Sequence, residues 1–221
     1  MFAKAPRPGL VKTRLSPPLS LDQCVEFYEA LLADVLEVSA RLAASFDLEP
    51  ILAFHPADAA SEMLRRAPAG YRLQVQSGLG LAERMANAFA EAAAAGASAI
   101  LLRGSDSPAL GSAHVASALD RLEAGDDLVF TPDQGGGYAM IGMRKPHAEV
   151  FEVPMSTGDM LEKTLALAAR LGLRSSQTAP AFDLDTAEDF SKLDALSARE
   201  SSDLCPSTVE AVLRLRALGV L

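Results

Sequence analysis

The sequence predicts an α/β protein of three layers, α/β/α, around a mostly parallel, mixed sheet. Short apolar runs of strand length alternate with longer stretches of helical spacing, the signature of strand-helix-strand units. Pro50 to Phe54 and Ala99 to Leu102 read as buried apolar strands, while Tyr71 to Gln76 alternates apolar and polar residues. The 221 residues suit one domain, large enough to bury a core without disulfides or structural metal. Hydrophobic residues make up 49% and charged residues 22%, an ordinary globular balance rather than a disordered one.

Phe2 to Pro6 reads as the last part of a strand running into a loop of Pro, Gly and basic residues that ends near Ser20. A strand this short fits either a start upstream of Met1 or a frayed end. Leu21, Val25, Tyr28, Leu32 and Val35 recur with helical spacing to about Ala44, with Ser20 as the cap. Pro50 to Phe54 is a second strand, Ala57 to Arg66 a short helix and Tyr71 to Gln76 a third strand. Gly78-Leu-Gly-Leu-Ala-Glu83 then opens an Ala-rich helix through about Ala95. It is a poor dinucleotide fingerprint, because Glu83 stands where close helix packing needs Gly or Ala.

Ala99 to Leu102 reads as a buried strand that stops at Arg103-Gly-Ser-Asp-Ser-Pro108, and Pro108 fits the first turn of a helix to about Ala124. Asp127 to Thr131 is a fifth strand. Gly135 to Met143 is a glycine turn feeding another strand with no helix between, so this strand runs antiparallel or reverses the sheet order. Ser156 to Asp159 caps a helix to about Leu171, Leu173 to Gln177 is a short strand, and Phe182 to Thr186 precedes a helix holding Glu188, Asp189 and Phe190. Pro206 starts the last helix.

Charge narrows the function. The net charge of −9 argues against a general nucleic-acid binder, which needs a basic footprint. Yet Lys4, Arg7, Lys12 and Arg14 all precede the first acidic residue, Asp22. This loop is not a Walker motif, since Val11 precedes Lys12. It reads either as a phosphate site, with Gly9 letting the backbone approach, Lys12 as a point charge and Arg14 as a bidentate fork, or as a solvated basic tail. No stretch is long and apolar enough to span a bilayer and no leader is evident, so a cytoplasmic location is expected. Cys24 and Cys205 are expected to be reduced thiols. His55, His114 and His147 fall in no ligand spacing and read as surface or loop residues.

Asp106 lies at the carboxyl end of its strand, the edge where open α/β sheets bind ligands. Asp and Ser before Pro also form turns and caps, so alone it is ambiguous. Asp183 and Asp185 flank Leu184 on alternate positions, and an extended segment points both the same way. Mg²⁺ or Mn²⁺ takes one or two carboxylates plus phosphate oxygens, so Asp106 with one of this pair forms a candidate metal site. Gly136, Gly137 and Tyr138 are candidate substrate contacts, since a triple glycine serves either close backbone approach or a tight turn. Ser156 and Thr157 are substrate candidates or simple caps. Gln76 and Arg84 are candidates for reading a base or sugar. Asp133 and Asp159 are candidate catalytic bases on position only.

Taken together, Phe2-Ala-Lys-Ala-Pro6, Pro8-Gly-Leu-Val-Lys-Thr-Arg-Leu15, Gln76 with Gly80 and Glu83-Arg-Met85, Gly104-Ser-Asp-Ser-Pro108, Gly136-Gly-Tyr138 with Ile141-Gly142, Ser156-Thr157 and Asp183 to Asp189 carry a resemblance across nearly the whole chain. The chain resembles a bacterial family of uncharacterised glycosyltransferase-like proteins with the GT-A nucleotide-diphospho-sugar transferase fold. That family is similar to the guanylyltransferases of molybdenum cofactor and phospholactate metabolism. The resemblance implies nucleotide binding over the amino-terminal loop and a metal on Asp106 and an acid near Asp185. The sequence departs from the pattern at Gly135, where the family carries an acid that Asp133 replaces two positions earlier, and at Met155, where it carries Trp. The leading expectation is a metal-dependent transferase using a nucleotide-sugar. The alternatives are a nucleotidyltransferase releasing pyrophosphate from a nucleoside triphosphate and a nucleotide-binding protein without catalysis. Homo-oligomerisation stays open.

Overall fold

The structure, a computed structural model, describes residues 1–155 and 157–221. Its elements run in the expected alternation: β1 (Phe2–Lys4), α1 (Leu21–Ser45), β2 (Ile51–His55), α2 (Ala60–Arg66), β3 (Arg72–Val75), α3 (Leu81–Ala94), β4 (Ile100–Arg103), α4 (Ser112–Glu123), β5 (Leu128–Pro132) and β6 (Tyr138–Met143). They continue with α5 (Met160–Arg170), β7 (Ser175–Gln177), α6 (Phe190–Asp194), α7 (Ala198–Leu204) and α8 (Pro206–Ala217).

The sheet is divided into two hydrogen-bonded ladders. β1, β2 and β3 pair in parallel, in that order. The second ladder has the order β4-β6-β5-β7, with β6 antiparallel to both neighbours and β7 parallel to β5. The direct strand-to-strand turn at the triple glycine therefore does produce an antiparallel strand. The single sheet expected from sequence is interrupted between β1 and β4, where the Lys4 N–H and C=O both bond to the Tyr28 hydroxyl.

Helices cover both ladders. Apolar residues of α1, including Phe27, Leu31 and Leu32, pack with Leu52 and Phe54 of β2 and with Leu184, Phe190 and Leu215. On the second ladder, Phe89 of α3 and Ala168 of α5 join Phe130 and Ile141, while Val115 and Leu122 of α4 join Val129 and Met140. β5 and β6 alternate residues between these two cores, so each strand is buried on both faces. Ser20 caps α1 reciprocally with Gln23. The buried carboxylate of Asp34 on α1 accepts from the backbone N–H groups of Ser207 and Thr208, 3.2 and 2.7 Å away, and so fastens α8 to α1.

Several boundaries differ from the sequence reading. Pro108 lies in a turn, and α4 begins only at Ser112 after Gly111. A buried Arg103 holds the carbonyls of Ser107 and Leu110, which keeps residues 104–110 in a loop. The segments after Pro56 and Thr186 begin as short 3₁₀ turns before α2 and α6. α7, capped by Ser197 and Glu200, was not anticipated. Asp159 immediately precedes α5, whereas the expected cap at Ser156 lies outside the described residues. Cys24 and Cys205 are free and buried, and burial beside Asp34 pushes the Cys205 thiol up to about 12. Among the described residues no helix is long and apolar enough to cross a membrane.

Candidate nucleotide and metal site

A cleft of about 640 Å³ opens where β1 and β4 face each other, at their carboxyl ends. Its floor is held by Tyr28, an α1 residue that the sequence reads only as part of an apolar stripe. The Tyr28 oxygen accepts from the Lys4 N–H at 3.2 Å and lies 2.8 Å from Ser105 Oγ in the turn after β4. Burial, with the Asp106 charge nearby, pushes this phenol up to about 12, so it serves as a neutral clamp between the two ladders.

The amino-terminal loop is folded onto the cleft. Arg7 is committed elsewhere, to Asp58 and Glu62 beside α2, and so anchors the loop. Gly9 takes φ +76° with open space around it and does not line the cleft, so its role is the turn rather than ligand approach. Lys12 also lies in the left-handed region, at φ 48°, an uncommon state for a residue with a Cβ. Its side chain is 3% exposed, and its Nζ meets Asp106 and, at 3.0 Å, Asp185. Burial alone would lower the Lys12 pKa; the two carboxylates outweigh it and hold the ammonium charged above the usual lysine range. Arg14 remains mostly exposed, 3.4 Å from the second Asp185 oxygen. The solvated-tail reading is therefore wrong for Lys12. Lys4 lines the same cleft, with its Nζ 3.4 Å from Leu10 O.

The turn carrying Asp106 is fixed from beneath by Arg103. This guanidinium is buried and donates to the carbonyls of Gly104, Ser107 and Leu110 and to Ser39 Oγ, with no carboxylate among its hydrogen-bond partners. Burial holds it down at about 10. The extended segment at 183–185 is fastened to this turn by the Leu184 N–H, which donates to Asp106 O at 3.0 Å. Leu184 itself is fully buried. Asp183 and Asp185 do face the turn, as their alternation predicts, but they reach different ends of it. Asp185 joins Asp106 at Lys12, whereas Asp183 accepts from Ser107 Oγ and does not line the cleft. Burial raises the Asp183 carboxyl to about 7, despite the hydrogen bond from Ser107, and the neighbouring acids add to this.

Asp106 and Asp185 are the residues that could hold a divalent cation. Both carboxylates lie about two-fifths exposed in the cleft and already share one cationic centre, the Lys12 ammonium. Among the described residues no group of three or more His, Cys, Asp or Glu side chains is placed to hold a metal, so Asp183 is not a third ligand in this arrangement. Two carboxylates with phosphate and water oxygens nevertheless satisfy Mg²⁺.

The other candidates separate cleanly. Asp133 Oδ1 accepts from the N–H groups of Gly135 and Gly137 at 2.6 and 2.8 Å, so it shapes the glycine turn instead of serving as a base in the cleft. Gly136 has φ +84°, and a Cβ there would sit 1.8 Å from Gly158 O. Gly137 is packed against Asp133 and the Met160 Cε. These glycines allow protein to approach protein, and neither lines the cleft. Asp159 pairs with Lys163 at 2.7 Å, and Thr157 donates to Pro154 O; neither lines the cleft. Gln76 does line it, but its amide donates to the carbonyls of Ala53 and Ala3. Arg84 also lines it while bonding the carbonyl of Gly78 in its own loop. His55, set aside as a surface residue, ends β2 on the same wall, where burial first and the nearby Arg84 and Lys4 charges second lower its pKa. Tyr138 lines the opposite end, and its hydroxyl is the buried side-chain polar atom that finds no partner among the described residues.

Comparison with known proteins places this geometry in context. No curated protein matches the chain. A solved structure named "putative nucleotide-diphospho-sugar transferase", from Desulfovibrio desulfuricans G20, is 28% identical, with a TM-score of 0.85 over 98% of this chain and 94% of that one. A cytidylyltransferase from Leptospira borgpetersenii serovar Hardjo-bovis is 13% identical, with a TM-score of 0.52 over 86% of this chain and 84% of that one. CMP:2-keto-3-deoxy-manno-octonic acid synthetase, solved with CTP, is 11% identical, with a TM-score of 0.52 over 77% of this chain and 88% of that one. The latter two share the fold. Residues 38–157, more than half of the chain, match the family DUF2064, described as "Uncharacterized protein conserved in bacteria", and the protein belongs to that family.

Proposed function

We propose that the protein is a divalent-cation-dependent transferase that acts on a nucleotide-activated substrate, with a nucleotide-sugar as donor. The observation that carries this reading is the meeting of Lys12, Arg14, Asp106 and Asp185 at one end of a nucleotide-sized cleft. The likeness to the Desulfovibrio structure, over nearly the whole of both chains, supports it.

Arg14, with most of its surface free, is available to fork onto a diphosphate, and Lys12 supplies a fixed positive charge beneath it. Asp106 and Asp185 would hold Mg²⁺ or Mn²⁺, which when bound supplies neutralisation of phosphate charge. Arg103 and the Leu184 N–H fix the backbone that carries the two carboxylates, so the charges are placed before substrate arrives. Gln76, Arg84 and His55 form the wall toward β2 and β3, the side to which this reading assigns the base and ribose. In the reaction the bond from the anomeric carbon to the distal phosphate oxygen breaks, and its electron pair leaves with the nucleoside diphosphate. The acceptor oxygen bonds to that carbon and passes its proton to solvent water.

Product analysis with the full chain tests this. Nucleotide-sugars and nucleoside triphosphates are each incubated with Mg²⁺ or Mn²⁺ and the products are resolved by ion-exchange chromatography. Release of a nucleoside diphosphate from a nucleotide-sugar is expected. Pyrophosphate release from a triphosphate would replace this reading with nucleotidyl transfer, and binding without turnover of any donor would reduce the protein to a nucleotide binder.

A further inference from the structure

The two ends of the cleft differ in chemistry. The end at Lys12 is charged, whereas the end toward β6 is lined by Phe2, Met85, Leu102, Tyr138, Met155 and Met160. Leu102, Met85 and Met160 are almost entirely buried, and Tyr138 packs its ring against Phe130 at 5.3 Å. Among these six side chains the Tyr138 hydroxyl is the one strong hydrogen-bonding group, and it is buried without a partner among the described residues. A buried hydroxyl left unpaired is costly, and a ligand that pairs with it removes that cost. Sugars present hydroxyls around the ring and need several polar partners, which this wall does not supply. Methionine side chains are unbranched and polarisable, and they adapt to apolar or aromatic bodies.

We infer that this end of the cleft binds the acceptor and that the acceptor is a phenol or other alcohol with an aryl or alkyl body, not a second sugar; its oxygen meets the Tyr138 hydroxyl and its body lies on the methionines. Calling the ligand an acceptor rests on the transferase reading above, but the binding chemistry does not.

Isothermal titration of the full chain with 4-nitrophenol and, separately, with methyl α-glucoside tests the inference. The phenol is expected to bind and the glucoside not. Tyr138→Phe is expected to weaken the phenol about 10-fold, roughly the loss of one hydrogen bond, while raising the melting temperature of the ligand-free protein. Met155→Glu, at a half-buried position, is expected to abolish phenol binding and leave the fold intact. Failure of the phenol to bind, glucoside binding at equal or higher affinity, or wild-type phenol affinity in both variants overturns the inference. A parallel titration with nucleoside diphosphate and Mg²⁺ separates the two ideas. Phenol binding without nucleotide binding removes the transferase reading and keeps the apolar site; nucleotide binding without phenol binding does the reverse.

Discussion

The turn after β4 and the turn between β5 and β6 each hold aspartate within a run of small residues, yet they use it in opposite ways. Asp106 keeps its carboxylate out of the local backbone network and presents it, with Asp185, to a lysine in an open cleft. Asp133 turns its carboxylate inward onto two N–H groups of its own turn. The two turns are also held differently: Arg103 donates to the Ser107 and Leu110 carbonyls of the first, while in the second the Asp133 carboxylate accepts from the Gly135 and Gly137 N–H groups. An acid that already serves the backbone has little left to offer a substrate.

Exchange of each acid for alanine should break this comparison most sharply. Asp106→Ala is expected to weaken Mg²⁺-dependent nucleotide binding about 100-fold or more, since even an outer-shell partner is worth 10 to 100-fold in metal affinity, while the fold stays intact at some cost in stability because the buried Lys12 keeps only Asp185. Asp133→Ala is expected to do the converse: to lose about 2 kcal/mol of stability from two orphaned N–H groups and to keep nucleotide affinity. Calorimetry with Mg²⁺ and nucleoside diphosphate, beside chemical denaturation, reads both. Equal binding losses in the two variants would falsify the separation of the turns.

Much of this contrast could not be read from sequence, for physical reasons. Strand and helix alternation was legible because apolar period and length survive in one dimension, and an antiparallel β6 was one of the two options left by a glycine turn with no room for a crossover. The meeting of Lys12, Asp106 and Asp185 was legible through the family resemblance, which ties the amino-terminal loop to Asp106 and an acid near Asp185, whereas the loop alone read equally as a tail. Tyr28 and Arg103 were not. Tyr28 sits on the apolar stripe of α1 and only its oxygen, invisible to hydrophobic periodicity, crosses to Lys4 and Ser105. Arg103 ends an apolar strand and looks like its solvent boundary, whereas it is buried with its donors on carbonyls of the following loop. The same loop misled the reading of Pro108 as a helix start. The glycines pointed to close approach correctly, but the approaching group is Gly158, not a ligand.

Gly136 sharpens that last distinction. Gly136→Ala adds a Cβ at 1.8 Å from the Gly158 carbonyl in a left-handed conformation. A loss of about 3 kcal/mol is expected in denaturant unfolding, with and without nucleotide. A glycine that served ligand approach would instead lose affinity at unchanged stability.

The smallest effect concerns Asp189, whose use resembles that of Asp133 but supports the Asp106 side. Its Oδ2 accepts from the N–H groups of Asp185 and Thr186, at 2.9 and 2.7 Å, and its other oxygen pairs with Lys192 at 2.7 Å. Burial would raise its pKa; the hydrogen bonds from Lys192, Thr186 and Asp185 outweigh this and hold the carboxyl below the usual range. The unfolded chain thus binds the proton more readily, so this contribution is complete above the unfolded value, roughly pH 4, and fades as pH falls through the lower folded value. Asp189→Ala is expected to cost about 1 kcal/mol near pH 7, where the cap is ionised, with the gap to wild type narrowing at lower pH as the cap protonates. Because the freed backbone is that of Asp185, nucleotide affinity should fall only a few-fold. A loss comparable to that of Asp106→Ala would mean that Asp185 depends on this cap more than on Lys12, and would move the weight of the site from the β4 turn to the 183–189 segment.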